Sequence, residues 1–198
     1  VRFAALIDGW NLHEGCQAQS GLQALYWVDP LVLARFSLAR FDPGAEITSC
    51  NYYTARLNHD RFDPSRVQRQ QAYLRALSTL TDLIVIEGYF THAPPYVEKQ
   101  TDVRLAVDMV AGALRRKLDG VLLISNDSDF APAIKVVAGE EALPVFVVNP
   151  HGLRNRSTRL TSVATRVFDL REGDLIASQL PGSLKDSRGT IHKPDRPW

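Results

Sequence analysis

Gly120-Val121-Leu122-Leu123-Ile124-Ser125-Asn126-Asp127-Ser128-Asp129-Phe130 passes from an unbroken apolar run straight into a polar, acidic turn. A short run of this kind reads as a strand buried on both faces, the situation of a parallel strand covered by helices. Residues 2–7 repeat the signature: the apolar run Arg2-Phe3-Ala4-Ala5-Leu6-Ile7 stops at Asp8-Gly9. Working outward, residues 47–55, 83–90 and 144–148 supply three more candidate strands, and 164–170 a sixth.

Helix patterns separate these runs. Asp63-Pro64-Ser65 opens one, with Asp63 as N-cap and proline at the first helical position. It continues to near residue 80, with Val67, Tyr73, Leu74 and Leu77 on its apolar side. Thr101 caps a second, in which Val103, Ala106, Val107, Val110 and Leu114 follow helical spacing. Asp29-Pro30 opens a third through residue 39, and residues 130–138 and 154–163 read as shorter helices. Strands alternating with helices predict a mostly parallel sheet of five or six strands, covered on both faces.

The 198 residues fit one domain, with 45% hydrophobic and 23% charged residues. Residues 1–179 are expected to form it. Residues 180–198, polar and holding Pro181, Pro194 and Pro197, are expected to be a flexible tail unless they dock on the domain or a neighbour. The net charge of +1 announces no polyanion partner by itself, so any such argument must rest on local charge. No apolar run approaches the roughly 20 residues that span a bilayer, so no membrane association is expected. The opening residues are too quickly acidic for a secretory signal. Cys16 and Cys50 make no CxxC pair and are read as reduced, in a cytoplasmic protein.

Asp8 ends the first strand, Asp127 and Asp129 follow the fourth, and Asp102 lies in the first turn of the helix after the third. Ligands of open parallel sheets bind outside the carboxyl ends of the strands, so all four acids fall on one edge. Any one of them alone reads as a helix cap. Four together repel unless a cation neutralises them, and Mg²⁺ or Mn²⁺ suits oxygen ligands. The chemistry that follows is phosphodiester hydrolysis. The five histidines show no zinc spacing, and there is neither a GxSxG elbow nor a P-loop. The first strand lacks the Asp-x-Asp of haloacid-dehalogenase-type phosphatases, which leaves a phosphatase a distant alternative.

Asp8-Gly9-x-Asn11, then Lys99-x-x-Asp102-x-x-x-x-x-Asp108, then Ser125-Asn126-Asp127-Ser128-Asp129-Phe130 resemble the NYN-domain proteins of the PIN-like nuclease superfamily, and among them the LabA-like branch. The resemblance covers residues 2–170. It implies a PIN-like, Rossmannoid three-layer α/β/α fold and Mg²⁺- or Mn²⁺-dependent RNA cleavage. On that basis Asp8, Asp102 and Asp127 are metal ligands with Asp129 in support, and Asn11 orients Asp8 or touches phosphate. Ser125 and Asn126 shape the turn, and Lys99 meets a phosphate or a site carboxylate. Asp108 lies about 120° around the helix and about 9 Å along it from Asp102, which gives it a supporting or structural role. Thr165 stands where the family pattern leads one to expect an aspartate, at the cost of one carboxylate if that residue serves the site.

Arg154, Arg156 and Arg159 are candidate RNA contacts at the same edge, or else a basic first turn. Arg61, Arg66 and Arg69 read as a solvated helix face. Trp10 would stack on a base or cover the sheet edge, and one of the adjacent Tyr52 and Tyr53 would be core and leave the other free to stack. Two functions stand: a metal-dependent endoribonuclease, or a catalytically weak or inactive module that binds RNA or a protein partner. Homo-oligomerisation is compatible with both.

Overall fold

The computed structural model describes residues 1–19, 25–58, 60, 62–91, 97–115 and 118–198, and of Arg154 the backbone only. Its main sheet uses β1 (Arg2–Asp8), β2 (Glu46–Ala55), β3 (Leu83–Phe90), β4 (Glu98–Lys99), β5 (Gly120–Ile124), β6 (Val145–Asn149) and β7 (Arg166–Asp169), in the order β4-β3-β2-β1-β5-β6-β7. All pairings are parallel except that of β4, which runs antiparallel against Tyr89 and Phe90. The six expected strands are present, and the two-residue β4, too short to leave a periodic signal, makes a seventh. From β1 the chain builds outward through β2 and β3, then returns across to β5. The reversal sets the ends of β1 and β5 side by side.

Strand alternation sorts the core into two layers. Phe3, Ala5 and Ile7 face one side, with Cys50, Tyr52, Leu122, Ile124, Phe146 and Val148. They are covered there by α1 (Gly9–Gln19), α2 (Pro30–Phe41), α3 (Ser65–Leu77) and α7 (Glu172–Ala177). Leu6, Tyr53, Val121, Leu123, Val145 and Val147 face the other side, under α4 (Thr101–Leu114), α5 (Ala131–Lys135) and α6 (Thr158–Val163). The result is the expected three-layer α/β/α arrangement. No described helix is long and apolar enough to cross a membrane.

Local chemistry sets the helix ends. The Asp29 carboxylate accepts from the N–H groups of Leu31 and Val32 at 2.9 Å each, with Pro30 at the first position, as expected. At α3 the start falls at Ser65, because the Asp63 carboxylate is engaged by the Ser65 hydroxyl and the Arg69 guanidinium instead of by backbone N–H groups. Residues 128–140 are a 3-10 turn, α5 and a π turn in succession, not one helix. The apolar stripe expected to bury α4 is corrected in part, since Ala106 and Val110 do pack against the core. Leu105, Met109 and Ala113 enter the core, whereas Val103, Val107 and Leu114 are 69%, 56% and 58% exposed. The helix carries two apolar stripes, and spacing alone does not say which one meets the sheet. Tyr52 and Tyr53 are both buried, one in each core layer, so neither is left to stack on a base.

The segment expected to be a flexible tail is packed. β8 (Ser183–Asp186) and β9 (Gly189–His192) form a hairpin that places Ile191 in the core, and Asp186 is held by Arg75 of α3, Nε to carboxylate at 2.6 Å. Its polar composition hid the few anchors (Leu180, Ile191 and Trp198) that do the packing. Replacing Ile191 by Asp buries a charge without a partner, so Ile191→Asp should lower unfolding stability by about 3 kcal/mol. Limited trypsin digestion should then cut at exposed Arg188, a site the parent protein protects for longer.

Candidate functional site

The site begins with two strand ends brought together by the reversal in the sheet. Asp8 closes β1, and its two carboxylate oxygens accept from the Asn11 N–H at 3.1 Å and the Ser125 hydroxyl at 3.0 Å. Ser125 Oγ also accepts the Asp127 N–H at 3.0 Å, while the Asn11 side-chain oxygen accepts the Asn126 N–H at 2.8 Å. The Asn126 side chain spans onward, donating to the Asn155 carbonyl at 2.6 Å and accepting from the Ser157 N–H at 2.8 Å. One relay of short polar side chains therefore ties the ends of β1 and β5 to the loop after β6. Gly9 has no alternative in this corner, since a Cβ there would lie 2.6 Å from the Tyr52 ring and 2.7 Å from the Tyr53 carbonyl.

Acids line this edge. Burial pushes the Asp8 carboxyl up to about 7, and the charges of Asp102 and Glu98 add to the rise against the two hydrogen bonds that oppose it. Burial also raises Glu98 to about 7, helped by Asp102 and Glu14, while Thr101 donates to it at 2.6 Å. Asp102 is raised by burial and then by Asp127 and Asp129. The four predicted acids thus share one electrostatic neighbourhood, and among the described residues none of them, nor Glu98, is ion-paired to a lysine or arginine. Glu98 escaped sequence reasoning because only the antiparallel β4 and the left-handed turn at Gln100 (φ 77°) turn it onto this edge.

Carboxylate oxygens are the donors that Mg²⁺ and Mn²⁺ prefer. Their arrangement does not make a cage, since among the described residues no three His, Cys, Asp or Glu side chains are grouped to hold a metal ion. Two of these acids are also bonded to the protein itself. Asp8 is engaged on both oxygens, and Asp127 accepts the Asp129 N–H at 2.9 Å as the cap of the following turn.

The remaining candidates are dispersed. Asp108 accepts from the Tyr53 hydroxyl at 3.1 Å and Arg104 Nε at 2.8 Å. Lys99 is exposed on β4. Trp10 packs edge to face against Phe90 and Trp198, inside a cluster of aromatic rings. Arg156 is committed to Asp169 at the end of β7, and Arg159 is exposed on α6. The side chain of Arg154 lies outside the described residues, as does Arg61; Arg66 and Arg69 pair with Asp60 and Asp63.

The missing aspartate at Thr165 is resolved by position. Thr165 precedes β7, at the opposite end of the sheet from the acids, where its hydroxyl oxygen accepts the Val145 N–H at 3.0 Å. Its identity costs this edge no carboxylate. The carboxyl end of β7 carries Asp169 instead, which Arg156 and the Asn149 amide hold below the usual carboxylate range despite its burial. The rule that picked out Asp8 at a strand end would have found it.

These titrations fix a pH dependence. Asp8 and Glu98 take up protons near pH 7 when folded, and near 4 when unfolded. Between those values the folded chain binds more protons, so their contribution to stability rises as pH falls from 7 toward 4 and is lost as pH rises through 7. Asp8→Asn removes the penalty and should raise stability by about 1 kcal/mol at pH 8, with little gain at pH 5. Urea unfolding at both pH values measures it; an equal effect at both would place the cause in packing and not in charge.

A family model described as NYN domain matches residues 2–171. The chain is 26% identical to 6-hydroxy-3-succinoylpyridine 3-monooxygenase HspA of Pseudomonas putida, an alignment covering 98% of this chain and 75% of that protein. Among solved structures, a protein of unknown function from Vibrio parahaemolyticus is similar with a TM-score of 0.60 at 19% identity, covering 90% of this chain and 96% of the other. That likeness is one of fold. With a model match over nearly the whole α/β/α unit, and with the blocks at Asp8, Asp102 and Asp127 set on one sheet edge, the chain belongs to the NYN domain family within the PIN-like superfamily.

Proposed function

We propose that this chain is a catalytically weak or inactive NYN-fold module that holds RNA along the carboxyl edge of its sheet. The observation behind this reading is the bonding of its acids. Asp8 gives both oxygens and Asp127 one to protein donors, and among the described residues no three acids are gathered as a metal cage. Protons held by Asp8 and Glu98 near pH 7 lower the negative charge that a phosphate meets, and exposed Arg159 on the flank of the edge supplies attraction.

A Mg²⁺- or Mn²⁺-dependent endoribonuclease is the second reading. One observation favours it: the raised acids repel one another, and a divalent ion would relieve that repulsion. Similarity to a named monooxygenase adds a third possibility to test, oxidation of a hydroxypyridine.

The deciding experiment combines RNA binding and cleavage on a panel of single strands and hairpins, in Mn²⁺, Mg²⁺ or EDTA, beside Asp127→Asn. The weak-module reading expects RNA affinity to change by no more than about threefold between EDTA and Mn²⁺ at constant ionic strength. It also expects cleavage no faster than that of the variant. Metal-dependent cleavage that falls about 100-fold or more in Asp127→Asn would overturn it in favour of the ribonuclease. Oxygen consumption with 6-hydroxy-3-succinoylpyridine checks the third possibility.

A further inference from the structure

Beside the acidic edge, on the α1 face, the indole of Trp198 lies in a pocket of aromatic rings. It stacks on the His13 ring with centroids 3.7 Å apart and planes 14° from parallel, meets Trp10 edge to face at 5.0 Å, and lies 6.0 Å from Tyr73 in a near-parallel arrangement. It is 3% exposed. The backbone leading to it is clasped as a ligand would be: His13 Nε2 and the Gln17 amide bond the Trp198 carbonyl, and Arg69 Nε donates to the Pro197 carbonyl at 2.6 Å. Burial holds the His13 imidazole down to about 4, so near pH 7 it is neutral and stacks as an aromatic ring.

Two donors in this pocket are left over. The indole N–H of Trp198 is buried with no acceptor, and so is that of Trp10. Buried donors without partners are costly, and two indoles in contact bring a donor each and no acceptor. The two indoles meet ring against ring, with centroids 5.0 Å apart. A flat ring bearing an acceptor on its rim, a ring nitrogen or a carbonyl, would keep the stacking on His13 and could serve Trp10. It would also free Trp198 to find water.

We propose that the Trp10–His13–Tyr73 pocket is a binding site for a flat, uncharged nitrogen heterocycle with an acceptor on its rim, and that Trp198 is its intramolecular occupant. The heterocycle is either an RNA base or a free small molecule of the pyridone type. This site does not depend on the RNA reading of the acidic edge. Displacement of Trp198 by an external ring follows from ordinary competition: the pocket's apparent affinity is reduced by the fraction of molecules in which it is already filled.

The test titrates the parent protein and Trp198→Ala with uridine 5′-monophosphate, 2-pyridone and benzene, and follows Trp198 in the parent by ¹⁹F NMR of 5-fluorotryptophan. The proposal expects 2-pyridone or the nucleotide to bind Trp198→Ala at least about tenfold more tightly than the parent. It expects either to exceed benzene by a similar factor and to lose that excess when Trp10→Phe is added. Binding of the nucleotide alone points to RNA, and of 2-pyridone alone to a free heterocycle. Equal binding of benzene and 2-pyridone would mean an ordinary core cavity and overturn the proposal. Should Trp198→Ala not fold, the parent decides. A ¹⁹F resonance of Trp198 that moves toward its solvent-exposed position as the heterocycle is added supports the site, and one unmoved at millimolar probe overturns it.

Discussion

The hydrogen bond from Ser125 to Asp8 joins two residues 117 positions apart, and the geometry of the acidic edge depends on it. It closes the gap at which the sheet reverses direction, where two neighbouring strands send their chains to opposite faces. Asn11 and Asn126 extend the closure on either side. Each is a short polar side chain, the type that satisfies backbone groups freed where a strand stops. The arrangement puts a carboxylate where burial and like charges both oppose ionisation. That cost is tolerable because the strands beneath, from Phe3 to Ile7 and from Val121 to Ile124, are almost wholly enclosed by the two core layers.

Much of the architecture was legible because a parallel strand buried on both faces has a strong signature. All six candidate strands are present, and the Asp29-Pro30 signal began a helix at the expected residue. The places where reading went astray have physical causes. On α4, Val103 and Val107 compete with Leu105 and Met109 for the core, and only the sheet's position decides between them. α1 follows Asp8 without a linker, in Gly9-Trp10-Asn11, and its cap signal is masked because the capping residue, Asp8, also ends the strand. Tyr52 and Tyr53 point opposite ways, as strand geometry requires, but helices on both faces bury both.

The candidate site was legible to the extent that it is built from strand ends. Asp8, Asp127 and Asp129 stand there, with Asp102 opposite them on α4, and a single rule about parallel sheets locates the edge. Glu98 was hidden because its place depends on a two-residue antiparallel pairing and on the positive φ of Gln100, features of tertiary origin. The arginines show the reverse error. Arg156 looked free in sequence, and its partner Asp169 lies thirteen residues on, on the neighbouring strand. Charge that seems available to a polyanion can be spent within the fold.

The central position of β1 has a consequence for how the chain comes to be folded at all. β1 precedes the other strands of this sheet in the sequence, yet one of its two neighbours, β5, begins at Gly120, against whose bare Cα the ring of Phe3 is seated. Until then one side of β1 has no partner. Contacts this distant in sequence are slow to form, since a long loop must close before they stabilise anything. A nascent chain that stops short of Gly120 would display an unfinished sheet edge, open to pairing with other chains. The strand at the middle of the sheet is thus made before its partners and waits for the more distant of them to be completed.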